Sequence, residues 1–561
     1  MEEFVLQYLE NKENKKFKNL KFSPVPRGQK GDLALHFFEL AKSEKKTPLV
    51  LAQIFQKLFE GADFLEHTEI SGPYLNLFFK PQILLPIALQ VEDKIDNLKG
   101  KNIVLEFSGP NTNKPLHLGH MRNHAIGMAM ANILEAAGAV VHRVNIINDR
   151  GVHICKSMLA YQRFGHGETP ESTGEKSDFF VGRYYVLFEI ESKKDESLKD
   201  EVQKMLVAWE KEDKEVRALW EKMNGWALSG HAQTYQRQGV VFEKIYKESE
   251  TYKIGKRIAE EGLKNGVFQK RADGAIVIDL MNEGLDEKVI LRADNTSIYL
   301  TQDLAVAVLR NQDFHPDEMI YVVADEQNYH FQVLFLCLEK LGLLTRDKLT
   351  HLGYGLVNLP EGRMKSREGT VVDADNLMDE LSGLAQEEIT KRNPELDATE
   401  KKKIAEQIMN AAWKFYLLQV SPRKVMLFDP KKSIEFEGAT GPYLQYAGVR
   451  IKSILRKVNE RIPPEGKPKN LTFTDSDKPL AVKILEFSTA IENAAKSKNP
   501  TYIATYLLEL AQEWSKFYEK NSVLNADSEG LKNARIALAQ KVLKVMEYGL
   551  GLLGIEIPER M

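Results

Sequence analysis

The sequence predicts a multidomain chain: an α/β domain with a parallel sheet, preceded by an N-terminal α+β domain and followed by a C-terminal all-α helical bundle. Three observations carry this. A chain of 561 residues exceeds what one core organises. NIVLEFS (102–108), a helical pattern from Leu118 and VVHRVNIIN succeed one another as strand, helix and strand. From about residue 385 the text is amphipathic helix almost to its end.

Residues 1–98 begin with helix-like stretches, LALHFFELAKSEKK and PLVLAQIFQKLFE, and then a short strand pattern, GPYLNLFF. LQVEDKIDNLKGK links them to a domain expected over 99–384. There NIVLEFS is rich in branched apolar residues, as a buried strand is. Ile126, Met130, Ile133 and Ala137 recur at helical spacing, and Gly138 is placed to end that helix. A strand–helix–strand unit implies parallel pairing and a site at the C-terminal strand ends. The charged text from about 160 to 250 reads as a helical insertion. AIVIDL, VILRA, SIYLTQ and MIYVVA then read as strands, FQVLFLCLEKLG as a helix, and LTHLGYGLV as a last strand before the loop EGRMKSREGT. Four amphipathic helices fill 385–561.

Hydrophobic residues at 43% and charged residues at 28% describe ordinary globular material. No apolar run approaches the roughly 18 residues of a membrane span, and the first residues do not resemble a signal peptide. Cys155 and Cys337 lie far apart, which predicts neither zinc site nor disulfide and fits a reducing cytoplasm. With a net charge of −3, a nucleic-acid binder of this composition must concentrate its basic groups locally.

Two motifs carry chemistry. His117-Leu118-Gly119-His120 follows a Gly109-Pro110-Asn111 loop and Lys114-Pro115. Histidines three apart at a helix start share a face, where the helix N-terminus favours anions. The glycine between them lets a flat base or ribose approach the backbone. A pair of capping histidines around a packing glycine is the plainer alternative. The second motif, Gly362 to Thr370 (GRMKSREGT), offers three cations and a serine between glycines, suited to a polyphosphate and a leaving pyrophosphate; a solvated basic turn is the alternative.

These elements resemble the HIGH and KMSKS signatures of class I aminoacyl-tRNA synthetases, and the surrounding text is similar to arginyl-tRNA synthetases. EFSGPNTNKPLHLGHMRNHAIG, SIYLTQDLA, EGATGPYLQYAGVRIKSILRK, the closing LLGIEIPERM and the opening GDLALHFFELAKSEKKTP all carry the likeness. It implies a Rossmann-like catalytic domain over 99–384, an N-terminal tRNA-contacting domain, and an anticodon-binding domain over 385–561. It implies ATP, with Mg2+, as cofactor, and arginine and tRNA(Arg) as partners of a cytoplasmic monomer without membrane attachment. By matched position, His117, Gly119 and His120 with Pro110 and Met364 would bind ATP. Glu106, Ser108 and Asn111 would hold the arginine backbone groups. Tyr299 and Asp303, with Glu248 and Gln327, would hold its guanidinium. Asn76 and Phe79 would touch the tRNA elbow, and Tyr443, Tyr446 and Met561 the anticodon. Arg363-Met364-Lys365-Ser366-Arg367 lacks lysine at both usual KMSKS positions. The phosphate-facing cation is therefore open among Lys114, Arg363, Lys365 and Arg367.

The guanidinium assignment also stands on chemistry. A guanidinium presents five fixed donors and permanent charge, which a carboxylate and a phenol receive well, and Tyr299 and Asp303 are one helical turn apart. Core tyrosine and surface acid are the plain readings. Rival functions are a cysteinyl enzyme of the same class, a small nucleotidylyltransferase, and a non-catalytic tRNA-binding paralogue. The missing zinc ligands, the long helical C-terminal domain and the intact histidines, respectively, argue against them.

Overall fold

The computed structural model describes residues 1–561 except 18, 24, 27, 92–94, 295, 361–371 and 460–470. At the N-terminus, strands β1 (Lys21–Ser23), β2 (Leu33–His36), β3 (Leu65–Ser71) and β4 (Tyr74–Phe79) form an antiparallel sheet in the order β1-β2-β4-β3. Helices Glu2–Glu13, Phe38–Glu44 and Pro48–Leu58 accompany it. LALH, expected as helix, is the inner strand β2. Leu33, Ala34 and Leu35 are all buried, so consecutive residues face apolar neighbours on both sides, which a surface helix cannot offer.

The central sheet is five parallel strands in the order β12-β11-β5-β6-β7. They are β5 (Asn102–Glu106), β6 (Val140–Ile147), β7 (Lys244–Lys247), β11 (Glu318–Ala324) and β12 (Leu349–Tyr354), all paired in parallel. The strand order reverses at β5. Its neighbours β6 and β11 lie on opposite sides, and Glu106 at its C-terminal end is in register with Tyr321 and Val144. Ligands of such sheets bind in the crevice outside that switch point.

AIVIDL and VILRA form no part of this sheet. They give β9 (Ile276–Ile278) and β10 (Lys288–Leu291), which with β8 (Gln269–Lys270) make a small antiparallel sheet. SIYLTQ is no strand. Helix Tyr299–Phe314 starts inside it, and Thr301 Oγ1 accepts the Ile298 N–H as an N-terminal cap (3.1 Å). The insertion also ends earlier than expected. Its helices run from Val152 to Gln238 over their own core of Met158, Phe180, Tyr184 and Phe188, and β7 then returns to the main sheet.

The C-terminal region packs helices Ala398–Leu418, Gly441–Asn459, Thr501–Lys520 and Glu529–Leu552 around Trp413, Leu507, Val542 and Met546. An expected boundary at 384/385 falls inside the continuous helix Ala374–Arg392. Arg122, on the first helix of the α/β domain and fully buried, ties the regions together. Its guanidinium donates to the carbonyls of Gly355, Leu356, Ser421, Pro422 and Lys424. Lys478 does the same for the N-terminal domain, pairing with Asp32 (3.4 Å) and Glu66 (3.2 Å). Cys155 and Cys337 are buried and free. Among the described residues no helix is long and apolar enough to cross a membrane.

Candidate active site

β5 ends at Glu106, and the chain turns through Ser108, Gly109, Pro110 and Asn111 before helix Leu118–Ala136. That helix is capped by its own histidines. His117 Nδ1 accepts from Gly119 N–H (3.1 Å), and His120 Nδ1 accepts from His117 N–H (3.1 Å). The capping alternative is thus realised, and it has a chemical consequence. A neutral imidazole whose Nδ1 accepts carries its proton on Nε2. Burial holds His117 down at about 3 and His120 well below its usual value. Both rings are therefore neutral at pH 7, and they present Nε2–H donors rather than positive charge. A Cβ on Gly119 would lie 2.9 Å from His117 Cε1, so a side chain there would push this ring aside.

Positive charge comes from Lys114, which burial depresses below the usual lysine value and whose field reaches both histidines. Lys114, His117, Glu175, Arg183 and Asp373 line a recess of about 300 Å³. Asp373 was not singled out in the sequence. It closes the segment that follows residues 361–371, and that segment pairs with the histidine turn: Leu118 N–H donates to Val372 O (3.1 Å) and Ala374 N–H to Leu116 O (2.9 Å). Burial and the neighbouring Asp178 and Asp375 push Asp373 up to about 6. Arg363, Met364, Lys365, Ser366 and Arg367 lie outside the described residues.

A second group surrounds the switch point. Glu106 is buried against Arg310, which lies on helix Tyr299–Phe314; the guanidinium stays cationic, while burial raises the Glu106 carboxyl. Glu248 starts the helix after β7, accepts from Gln302 Nε2, and is pushed up to about 7 by burial. Asp303 meets His330 Nε2 at 2.6 Å. Tyr299 is 63% exposed, and its phenol is raised by burial of the ring's inner side and by Glu248 and Asp303. The structure thus brings Glu106, Glu248, Tyr299 and Asp303 together with Arg310 and His330. Arg310 was not singled out in the sequence; its spacing of seven from Asp303, two turns along one face of the helix, is the signal that points to it. Asn111 sits beside Asn148 across a backbone bridge, and Pro110 O accepts from Asn148 N–H (3.0 Å). Gln327 lies exposed in the turn after β11, with no hydrogen bond to this group among the described residues. The Ser108 hydroxyl is already engaged, at 2.8 Å from His124 and 2.7 Å from Tyr235.

Asn76 and Phe79 do not fit the tRNA contact expected of them. Asn76 is 1% exposed and spends its amide on Gln29 and Lys30, and Phe79 is 0% exposed in the domain core. Both lie on β4, three residues apart and so on opposite faces: Phe79 shares the core face with Leu75 and Leu77, and Asn76 on the other face is covered by the segment of Gln29 and Lys30. In the helical region Tyr443 and Tyr446 are half-buried and face a recess of about 260 Å³ with Arg392, Arg450, Trp514 and Tyr518. The Arg450 guanidinium lies 5.8 Å from the Tyr446 ring and 5.2 Å from that of Tyr518, and Trp514 stacks on Tyr518. Met561 packs nearby with Ile434 and Phe436.

Comparison with known proteins places this geometry in context. Residues 84–424 match the family model "tRNA synthetases class I (R), catalytic domain". Residues 444–561 match the DALR anticodon binding domain, and residues 2–79 the arginyl tRNA synthetase N terminal domain. Arginine–tRNA ligase of Treponema denticola is 45% identical over 563 aligned residues, covering 97% of this chain and 95% of its own. That of Bacteroides thetaiotaomicron is 44% identical, covering 95% and 94%. The solved Thermus thermophilus arginyl-tRNA synthetase superposes with a TM-score of 0.85 at 26% identity, over 100% of both chains.

Proposed function

Because the chain belongs to the arginyl-tRNA synthetase family and is an arginine–tRNA ligase that uses ATP, we propose that the reaction runs at the β5 switch point, through an arginyl-adenylate, on the two groups of residues described above. The observation that carries this is the pair of neutral Nε2–H donors at His117 and His120 with Lys114, on the loop that leaves β5 directly after Glu106, itself a member of the carboxylate cluster. The arginine carboxylate attacks the α-phosphorus of ATP and pyrophosphate leaves. The terminal ribose hydroxyl of the tRNA then attacks the mixed anhydride and AMP leaves. No side chain acts as nucleophile, so positioning and charge stabilisation supply the acceleration. His117 and His120 donate to the α-phosphate, and Gly119 leaves room for the nucleotide. Glu106 and Asn111 hold the arginine α-groups; Tyr299, Asp303 and Glu248 receive the guanidinium. Magnesium enters with ATP. Among the described residues no cluster of three His, Cys, Asp or Glu could cage it, and no step is assigned to it.

Glu248 makes arginine binding depend on pH. Its carboxyl sits at about 7, and only its ionised form offsets a guanidinium. Below that value a proton must leave before arginine binds, so KM for arginine should rise by up to about tenfold per unit as pH falls below 7. Steady-state kinetics between about pH 6 and 8 checks this, and Glu248→Gln should flatten the slope. A wild-type KM independent of pH in that window removes Glu248 from the pocket.

Residues 1–98 form the N-terminal tRNA-contacting unit in this proposal. The catalytic unit runs from 99 through helix Ala374–Arg392, in keeping with the matched span 84–424, and the helical anticodon-binding unit follows it. The aromatic and cationic recess at Tyr443 and Tyr446 supports that last role, since aromatic faces stack on unpaired bases. Tyr446→Ala should raise KM for tRNA by about 1–3 kcal/mol of lost stacking and leave KM for arginine and ATP alone. If anticodon substitutions weaken wild type and variant by the same factor, Tyr446 makes no base contact.

A further inference from the structure

The loop from β5 to the histidine turn passes through two consecutive residues of positive φ, Ser108 at 84° and Gly109 at 64°. Glycine adopts that region freely, and a residue with a side chain does not. Ser108 is kept there by three groups from two helices, Leu118–Ala136 and Lys214–Gln238. Its N–H donates to Asn123 Oδ1 (2.5 Å), and its hydroxyl lies 2.8 Å from His124 Nε2 and 2.7 Å from Tyr235 OH. Gly109 N–H donates to Asn145 Oδ1 (2.9 Å). Behind Ser108, His124 Nδ1 lies 2.6 Å from Gln238 Oε1. Ser108, His124 and Gln238 are all buried.

The protons of this chain run in one sense. Gln238 Oε1 only accepts, so His124 Nδ1 carries the hydrogen and Nε2 accepts from the Ser108 hydroxyl. Ser108 Oγ in turn accepts from Tyr235, whose oxygen accepts from Asn145 Nδ2 (3.4 Å). With the Gln238 amide in this orientation the order is self-consistent, and the neutral imidazole it needs is the form that burial favours, with His124 held at about 4.

We propose that His124 is a positioning residue for arginine activation. By holding the Ser108 hydroxyl it locks the left-handed turn that delivers Pro110 and Asn111 to the substrates. This rests on the reading that Glu106 and Asn111 hold the arginine α-groups. His124 itself lies one helical turn beyond His120, with ring centroids 6.2 Å apart, and both its nitrogens are used.

The two nitrogens allow a test that packing alone would not satisfy. An asparagine amide reaches the height of Nδ1 and keeps Gln238; a glutamine amide reaches that of Nε2 and keeps Ser108. His124→Asn should lower kcat/KM for arginine in tRNA aminoacylation by about tenfold to a hundredfold, the scale of a small misplacement of reacting groups, while His124→Gln recovers most of it. Ser108→Ala should match His124→Asn, and the double variant should be no worse than either single one; if His124→Asn does not fold, Ser108→Ala against wild type carries the measurement. Equal losses in His124→Asn and His124→Gln, or a wild-type rate in His124→Asn and Ser108→Ala, overturn the proposal. Asn111→Ala separates the two levels. If it leaves KM for arginine unchanged, the reading of the loop itself fails. If it raises that KM while the His124 and Ser108 variants act normally, only the role of His124 fails.

Discussion

Asp303→Asn should lose about 2–5 kcal/mol of arginine recognition, some thirtyfold to several thousandfold in kcat/KM, with KM for ATP unchanged. Asp303 lies in the first turns of helix Tyr299–Phe314, and one of its oxygens is fixed by His330 at 2.6 Å. That contact orients the carboxylate and leaves the other oxygen for a guanidinium N–H. An asparagine keeps the shape but neither the charge nor the second acceptor. The pocket already holds Arg310, a permanent cation beside Glu106, so removing one negative charge leaves the incoming guanidinium facing a cation with less to offset it. Arginine-dependent aminoacylation and the melting midpoint should be measured together. Unchanged kcat and KM for arginine in a folded variant would remove Asp303 from the pocket.

The elements that position this site were legible where local pattern and tertiary environment agree. NIVLEFS and VVHRVNIIN became adjacent parallel strands because a run of branched apolar residues is what a strand covered on both faces requires. The helix from Leu118 was legible for the same reason, with Gly138 at φ 97° ending it. Pattern failed where these part. SIYLTQ has strand-forming residues, yet the Thr301 cap and burial of Leu300 and Leu304 make it helix. KIYK, too short and charged to read as a strand, became β7 because edge strands tolerate exposed cations.

Within the site, the histidine motif was legible because its chemistry is local: cap, glycine and turn all lie within four residues. Its consequence was not, since neutrality depends on burial by segments distant in sequence. Glu106 meeting Arg310, 204 residues on, and Asp303 meeting His330 depend on the parallel sheet placing several loops at one edge. Asn76 and Phe79 lie on opposite faces of β4, and both are buried because the domain core covers one face and the Gln29–Lys30 segment the other, which alternation along the strand alone does not disclose.

Lys114→Ala should lower kcat by about a hundredfold, on the order of 3 kcal/mol, while ATP affinity stays near normal. The neutrality of the two histidines makes this expectation sharper than the sequence alone could. If His117 and His120 only donate hydrogen bonds, the charge that builds on the departing pyrophosphate needs a cation, and Lys114 lines the recess beside His117. Its desolvated ammonium, lowered from the usual lysine value by burial, gains most when a negative group arrives to replace lost water, which is the condition of the transition state more than of bound ATP. A lysine that merely precedes Pro115 in solvent would cost under about half a kcal/mol when removed. Adenylate formation in Lys114→Ala should be compared with Lys365→Ala, which lies outside the described residues. A large fall in kcat for a folded Lys114→Ala supports transition-state stabilisation by this residue. Normal turnover there, with Lys365→Ala crippled, assigns the phosphate-facing charge to Lys365 and leaves Lys114 a bystander.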